Sequence, residues 1–293
     1  MTGQHLRKIS LWSILPEKLV GKAFYLVFPL ILYMCFFYVY PLLHMLVMSL
    51  FSPEFTLKHY FGFFNTKVNL YSLYVTFKIG TLVTFWCLLL GYPLAYYLSS
   101  ISSKKANLLL ILVLIPLWTS LLVRTYAWIM ILGRNGILNQ TLIKSGLIDR
   151  PFKVIYNSFG LTVGMVHVMM PFMVLSLYSV MTGIDRDLLK AAQNLGARPF
   201  EAFRKVFLPL SMPGILAGSI LVFIISVGFF VTPALLGGPK EIMISMVIDQ
   251  AVSVLLNWEF ASAASFILLF LILGIFLTSG KIIGFDKLWG KKA

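Results

Sequence analysis

Six long apolar runs divide the sequence: 24–50, 73–98, 107–132, 159–183, 207–230 and 262–280. Each is long enough to cross a bilayer as a helix, which takes about 20 apolar residues. None contains Asp or Glu. The pattern predicts an all-α, polytopic integral membrane protein with six transmembrane helices over residues 24–280. The polar segments 51–72, 99–106, 133–158, 184–206 and 231–261 predict connections, 133–158 with short helical pieces. Residues 1–23 are basic and partly amphipathic, with Leu11, Trp12, Ile14, Leu15 and Leu19, which predicts an interfacial helix. The first run is too long for a cleaved signal peptide, and no small-residue cleavage site is evident. Residues 281–293 form a basic tail whose Lys281, Lys287, Lys291 and Lys292 suit an anionic leaflet, with Trp289 as an interfacial anchor.

The longest polar interruption in the second half, Thr182–Ile215, carries its own order. Asp185 can cap a helix start through its side-chain oxygen. Leu188, Ala191, Ala192 and Leu195 then recur at helical spacing on one face. Gly196 follows where a left-handed residue ends a helix, and Pro199 sits where a second helix can begin. The first helix is predicted at about ten residues, roughly 15 Å. The small centre of its apolar face admits a close approach by another surface. Periodicity alone allows two readings: a helix lying on the membrane, or one docking into another chain.

Composition and charge narrow the class. With 59% hydrophobic and only 12% charged residues, the chain is not an ordinary soluble domain, where charged residues run near a quarter. The formal net charge of +14 is a topology signal rather than a nucleic-acid one. Segments 1–23, 99–106, 184–206 and 281–293 hold 15 Lys and Arg in 67 residues, against 7 in 79 for 51–72, 133–158 and 231–261. By the positive-inside rule both termini are expected in the cytoplasm. Cys35 and Cys87 fall in separate runs, without clustered His or Asp, and read as small packing residues rather than a metal site or disulfide. Lys78, at the outer start of the second run, can snorkel to the interface. His44 reads as a polar tip near the outer end of its run, and His167 as a hydrogen-bond partner of a neighbouring helix. Pro29 or Pro41 can kink the first run. Gly214 and Gly218 make a GxxxG pair that permits close helix approach.

Arg124 lies about 17 residues from the inner edge of the third run, roughly 25 Å along a continuous helix. It reads either as an interfacial side chain beside an aromatic belt of Trp118, Tyr126 and Trp128, or as part of the polar lining of a solute path. Catalytic chemistry is not visible. There is no GxxxxGK phosphate loop, so the chain is not expected to hydrolyse ATP. No GxSxG, HExxH, CxxC or paired-carboxylate arrangement occurs, and the spans carry no carboxylate of the kind proton-coupled transporters use.

Two sets of residues carry a resemblance. Ala191-Ala192, Gly196, Val206 and Leu208-Pro209 have the spacing of the cytoplasmic motif of permease subunits of binding-protein-dependent ABC importers. Lys190 stands in place of its Glu, and Val206 in place of its Ile. The stretches Pro116–Gln140 and Val227–Glu241 resemble the first permease subunit of spermidine/putrescine importers, with Phe229 where that family has an acid. The resemblance implies a type I ABC importer permease fold in a bacterial inner membrane, with a non-catalytic role. It implies a heterodimer with a second permease subunit, an ATPase dimer that holds ATP and Mg, and a periplasmic solute-binding protein. No cofactor, metal site or nucleic-acid partner is expected for this chain itself. Asp185, Leu188, Lys190, Ala191, Ala192, Leu195, Gly196, Ala197 and Pro199 would form the ATPase-coupling stretch. Trp118, Arg124, Tyr126, Trp128, Phe229, Phe230 and Thr232 would line the solute path, and ATP-driven alternating access would move the solute inward. Resemblance favours a polyamine. The absence of span carboxylates and the presence of Arg124 favour a zwitterionic or anionic amino compound. A stand-alone channel or secondary transporter is the alternative class.

Overall fold

The computed structural model describes residues 27–51 and 54–283. The amphipathic segment 1–23 and residues 284–293 of the basic tail lie outside the described residues. The elements are α1 (Val27–Leu50), α2 (Lys58–Asn65), α3 (Lys67–Ser100), α4 (Ser103–Trp118), α5 (Leu121–Leu132), α6 (Ile137–Lys144), α7 (Ser158–Met181), α8 (Asp187–Asn194), α9 (Pro199–Val227), α10 (Val231–Leu236), α11 (Ile244–Ser253) and α12 (Trp258–Ile283). Among the described residues, α1, α3, α7, α9 and α12 are each long and apolar enough to cross a membrane. A further apolar pair, Ser103–Trp118 and Leu121–Lys144, passes the same test only when taken together, and its two parts meet at 95°.

Three helices form the centre, because each carries buried residues spaced four apart. On α7 the row is Leu161, Met165, Met169, Met173, Leu177 and Met181, each 0–1% exposed. On α3 it is Val75, Ile79, Val83, Cys87, Gly91 and Ala95. On α9 it is Gly214, Gly218, Val222 and Ser226. Rows of residues four apart are ridges that fit the grooves of a facing helix. The small residues set how close the ridges come. A Cβ built on Gly91 would lie 3.2 Å from Met173 Cγ, and one on Gly218 would lie 2.9 Å from Met173 Sδ. Met173 therefore fills the space that two glycines leave on either side of α7. Around this centre, α4 lies on α7 and α3, α12 packs against α1, α2 and α11, and α10 sits against α5 and α7. The flank of α1 is almost wholly exposed and aromatic, including Tyr33, Phe36, Phe37, Tyr38 and Tyr40. His44 stacks on Tyr40 there, with centroids 6.1 Å apart. Cys87 is buried with Sγ 3.7 Å from Val166 O, whereas Cys35 is exposed on α1.

Two sequence expectations are corrected. The run 107–132 is not one straight span: Thr119 and Ser120 are extended (ψ 148° and 134°) and separate α4 from α5. The break is stabilised locally, since Thr119 Oγ1 donates to Pro116 O at 2.9 Å and Ser120 O accepts from Arg124 N. The run 207–230 ends at Val227, so Phe229 and Phe230 lie outside the span, in the connection to α10. At its other end this helix begins eight residues early, at Pro199, and absorbs the second predicted helix of the polar stretch. The run 73–98 sits within a longer helix, α3, which begins at Lys67 and places Lys78 roughly 16 Å along it.

Proline leaves one more mark. The turns Cys35–Val39 in α1 and Phe203–Phe207 in α9 are widened to π geometry, and each ends two residues before a proline, Pro41 and Pro209. A proline in a regular helix meets the carbonyl four residues back, and a widened turn moves that carbonyl aside. In the first run, where a kink was expected at Pro29 or Pro41, such a widened turn precedes Pro41.

The ridge packing makes a stability prediction. Gly218→Ile drives a branched side chain into Met173 and Ser176, an overpacking cost of about 1–3 kcal/mol. The purified protein should lose several degrees in melting temperature, read by fluorescence-detected size-exclusion after heating. Gly62→Ala, where a Cβ meets nothing within 4 Å, should leave it unchanged.

Candidate functional site

The helix α8 stands outside the bundle, and none of its residues is buried. Asp185 Oδ1 accepts from Asp187 N at 2.9 Å, so the chain turns into α8 through that side chain. The first backbone bonds are accepted by Asp185 O and Arg186 O, the N-cap is Arg186 rather than Asp185, and the helix has eight residues. Leu188 and Ala191 are exposed, Ala192 is half-buried, and Leu195 is 89% exposed. An apolar side chain held that far into solvent on a short helix is surface available to another body. Lys190, in place of the family's acid, reaches back to Asp187 at 2.8 Å. That hydrogen bond holds the Asp187 carboxyl below its usual range and Lys190 above its own.

The end of α8 is closed by its backbone. Gly196 is left-handed (φ +93°). Gly196 N donates to Gln193 O at 2.9 Å and Ala197 N to Ala192 O at 3.1 Å, the two bonds of a Schellman closure. Pro199 then opens α9, where Glu201 Oε2 accepts from Arg198 N at 3.2 Å. One residue here escaped the sequence reading. Arg186 Nη2 donates to Ser99 Oγ at 2.7 Å and Ser100 Oγ at 2.9 Å, and its Cζ lies 4.8 Å from the rings of both Tyr96 and Phe207. The only advance signal was a cation just ahead of the helix, and local periodicity does not pair it with side chains 87 positions away.

The second group gathers where α5, α7 and α10 meet. Arg124 is half-buried on α5, and its Nε and Nη1 are buried with no hydrogen-bond partner among the described residues. Thr125, its neighbour, lies 3.5 Å from Thr232 on α10, hydroxyl to hydroxyl. Trp128 Nε1 donates to His167 Nδ1 on α7 at 3.2 Å, with the rings edge to face. His167 thus has the cross-helix partner its position called for, and it lies within electrostatic reach of Arg124. Trp128 and His167 also border a largely apolar cavity of about 490 Å³, together with Trp86, Phe159 and Thr162. The other candidates are less gathered. Trp118 is 74% exposed at the end of α4, across the bend, and Tyr126 is exposed on α5. Phe229 is half-buried, with its carbonyl accepting from Ser245 Oγ at 2.7 Å, and Phe230 is exposed. Asn139, in the stretch that carried the resemblance, is structural: Nδ2 donates to Gly133 O and Phe152 O, both at 3.1 Å, and Oδ1 accepts from Phe152 N.

Residues 87–280 match the family described as the binding-protein-dependent transport system inner membrane component. The chain belongs to this family. Over 233 residues it is 38% identical to the spermidine/putrescine transport system permease protein PotB of Haemophilus influenzae, covering 78% of this chain and 80% of that one. In fold it is similar to a bacterial ABC transporter involved in the import of the acidic polysaccharide alginate, with TM-score 0.76, 18% identity, and coverage of 91% of this chain and 98% of the other. A crystal structure of bacterial alginate ABC transporter in complex with its alginate pentasaccharide-bound periplasmic protein matches at TM-score 0.75 and 18% identity, covering 97% of this chain and 99% of that one. This permease is thus a multi-pass inner-membrane subunit of an ABC importer with the type I permease fold. That membership decides against a stand-alone channel or secondary transporter.

The closure of α8 can be tested by itself. A Cβ at Gly196 meets no atom within 4 Å, so Gly196→Ala costs only left-handed backbone strain, about 1–2 kcal/mol. Amide hydrogen exchange over 187–195 should accelerate several-fold, with the long apolar helices unaffected.

Proposed function

We propose that this permease moves a polyamine-like cation from periplasm to cytoplasm, driven by a separate ATPase dimer that carries the ATP and Mg. It works as a heterodimer with a second permease chain and receives its solute from a periplasmic binding protein. Both its termini face the cytoplasm. The observation that carries the mechanical part is α8, a short exposed helix between two spans, closed at a left-handed glycine. Asp185, Leu188, Lys190, Ala191, Ala192, Leu195, Gly196, Ala197 and Pro199 form the docking surface for the ATPase. Lys190, paired with Asp187, gives this surface a different charge pattern from the family motif and leaves its small apolar centre intact. The substrate class is supported by the identity to PotB along most of its length.

The solute path runs past Arg124, Trp128 and Thr232, with Trp118, Tyr126, Phe229 and Phe230 as aromatic surface toward the partner chain. Aromatic faces attract a cation by about 0.5–2 kcal/mol each, and the carboxylates a polyamine needs come from the partner permease. One observation favours a second reading. The buried, unpaired Nε and Nη1 of Arg124 are donors that suit a carboxylate or phosphonate on a zwitterionic amino compound.

Uptake by reconstituted complexes with the cognate binding protein separates the two. Putrescine and spermidine should be taken up by wild type and at least as well by Arg124→Gln. If instead the complex carries an amino-acid-like zwitterion, and Arg124→Gln loses that uptake roughly tenfold or more, the second reading replaces the first. Ala191→Trp, which obstructs α8, should leave the chain inserted but abolish ATPase docking and uptake. Wild-type docking in that variant would sink the assignment of α8.

A further inference from the structure

We propose that Arg186 is a positioning residue that ties the docking helix α8 to the inner ends of α3 and α9, so that displacement of α8 reaches both spans. The proposal rests on the reading of α8 as the ATPase-docking helix and adds what connects it to the bundle.

Among the described residues, the hydrogen bonds that join 185–195 to another helix both come from Arg186, to Ser99 and Ser100 at the end of α3. The same guanidinium lies 4.8 Å from the ring centroids of Tyr96 on α3 and Phe207 on α9. One planar cation therefore touches both spans. It donates to two hydroxyls while its central carbon lies over two rings, a spread of partners that suits a delocalised guanidinium better than a compact ammonium. No carboxylate takes part, so the tie does not depend on titration of an acid.

The surface it grips is itself built. Tyr96 stands edge-on to Phe203 (5.5 Å, 88°) and to Phe207 (4.9 Å, 88°). Phe203 and Phe207 stack across the widened turn at 5.9 Å and 17°. One turn deeper, Tyr92 hydroxyl meets Ser211 Oγ at 2.9 Å, again joining α3 to α9. The two inner ends form one aromatic block, and Arg186 fixes the start of α8 to it. Ile184 and Leu189 add apolar contact with the central core. Such contact resists separation but not sliding, whereas two directed hydrogen bonds and a ring corner resist both.

The test uses the complete complex and two readouts. Spin labels at Gln193→Cys and Ser102→Cys, with Cys35 and Cys87 replaced by Ala, report the distance between α8 and the α3–α4 turn in this chain, with or without ATPase. Solute moved per ATP hydrolysed reports coupling. Wild type should give a narrow distance distribution. Arg186→Gln should broaden it and lower solute per ATP about tenfold while the complex still hydrolyses ATP. Arg186→Lys should recover part of the coupling, because it keeps the charge near the rings. Should Arg186→Gln fail to accumulate, the pair Ser99→Ala and Ser100→Ala provides the same comparison with the aromatic contact intact. A wild-type distance distribution and wild-type coupling in the Arg186 or serine variants overturn the tie. Failure of the wild-type chain to retain an ATPase overturns the docking reading instead, and the label distances then judge the tie alone.

Discussion

In a bilayer, helices gain little by hiding apolar surface from lipid tails that are equally apolar, so contact shape has to hold them together. Here the shape is concentrated at Met173, whose thioether occupies the space left by Gly91 on α3 and Gly218 on α9. The other central contacts extend the same three rows of residues four apart. The two candidate groups lie at opposite ends of this seam. Toward one end, α10 packs against α7 with Leu236 over Gly164, which brings Thr232 to Thr125. Toward the other, α3 and α9 meet in the aromatic block that carries Arg186 and α8. Loss of the close approach at Met173 would move both groups, although neither contains that residue.

Much of this was legible in the sequence. The six apolar runs, the spacing of Leu188, Ala191, Ala192 and Leu195, and the punctuation by Gly196 and Pro199 are local patterns, and local patterns survive folding. The break at Thr119–Ser120 was not legible, because a hydropathy run counts apolar residues and is blind to a hydroxyl that satisfies a helix end. The straight-helix measure of Arg124 depth fails for the same reason, since a 95° bend lies between it and the inner edge. Phe229 and Phe230 read as span for their apolarity, while Gly228, with ψ near 0°, ends α9 just before them. The contacts of Arg186 depend on residues far apart in sequence meeting in space. The cross-helix partner of His167 was anticipated, from the cost of leaving an imidazole unpaired in a span, although its identity as Trp128 was not.

The two widened turns show how proline is accommodated where a break would be costly. At Thr119–Ser120 the chain breaks outright after Pro116. Before Pro41 and Pro209 it widens by one residue and continues. The difference shows at Pro209, where α9 runs from Pro199 to Val227 as one helix. A broken helix there would be a joint, whereas a widened turn remains a rod. It also brings Phe203 and Phe207 onto one side, where their stacked rings meet Tyr96.

The centre of α7 is lined by thioethers at Met165, Met169, Met173 and Met181. Unbranched side chains reach high packing density from several rotamers, and branched ones from few. A transporter's central helix meets its neighbours in more than one arrangement during each cycle. A seam of methionine behaves like a lubricated bearing, holding its contacts while the helices slip past one another. The same chemistry leaves it open to corrosion: oxidation turns a thioether into a polar sulfoxide, and at Met173 that oxygen would be wedged between two glycine backbones.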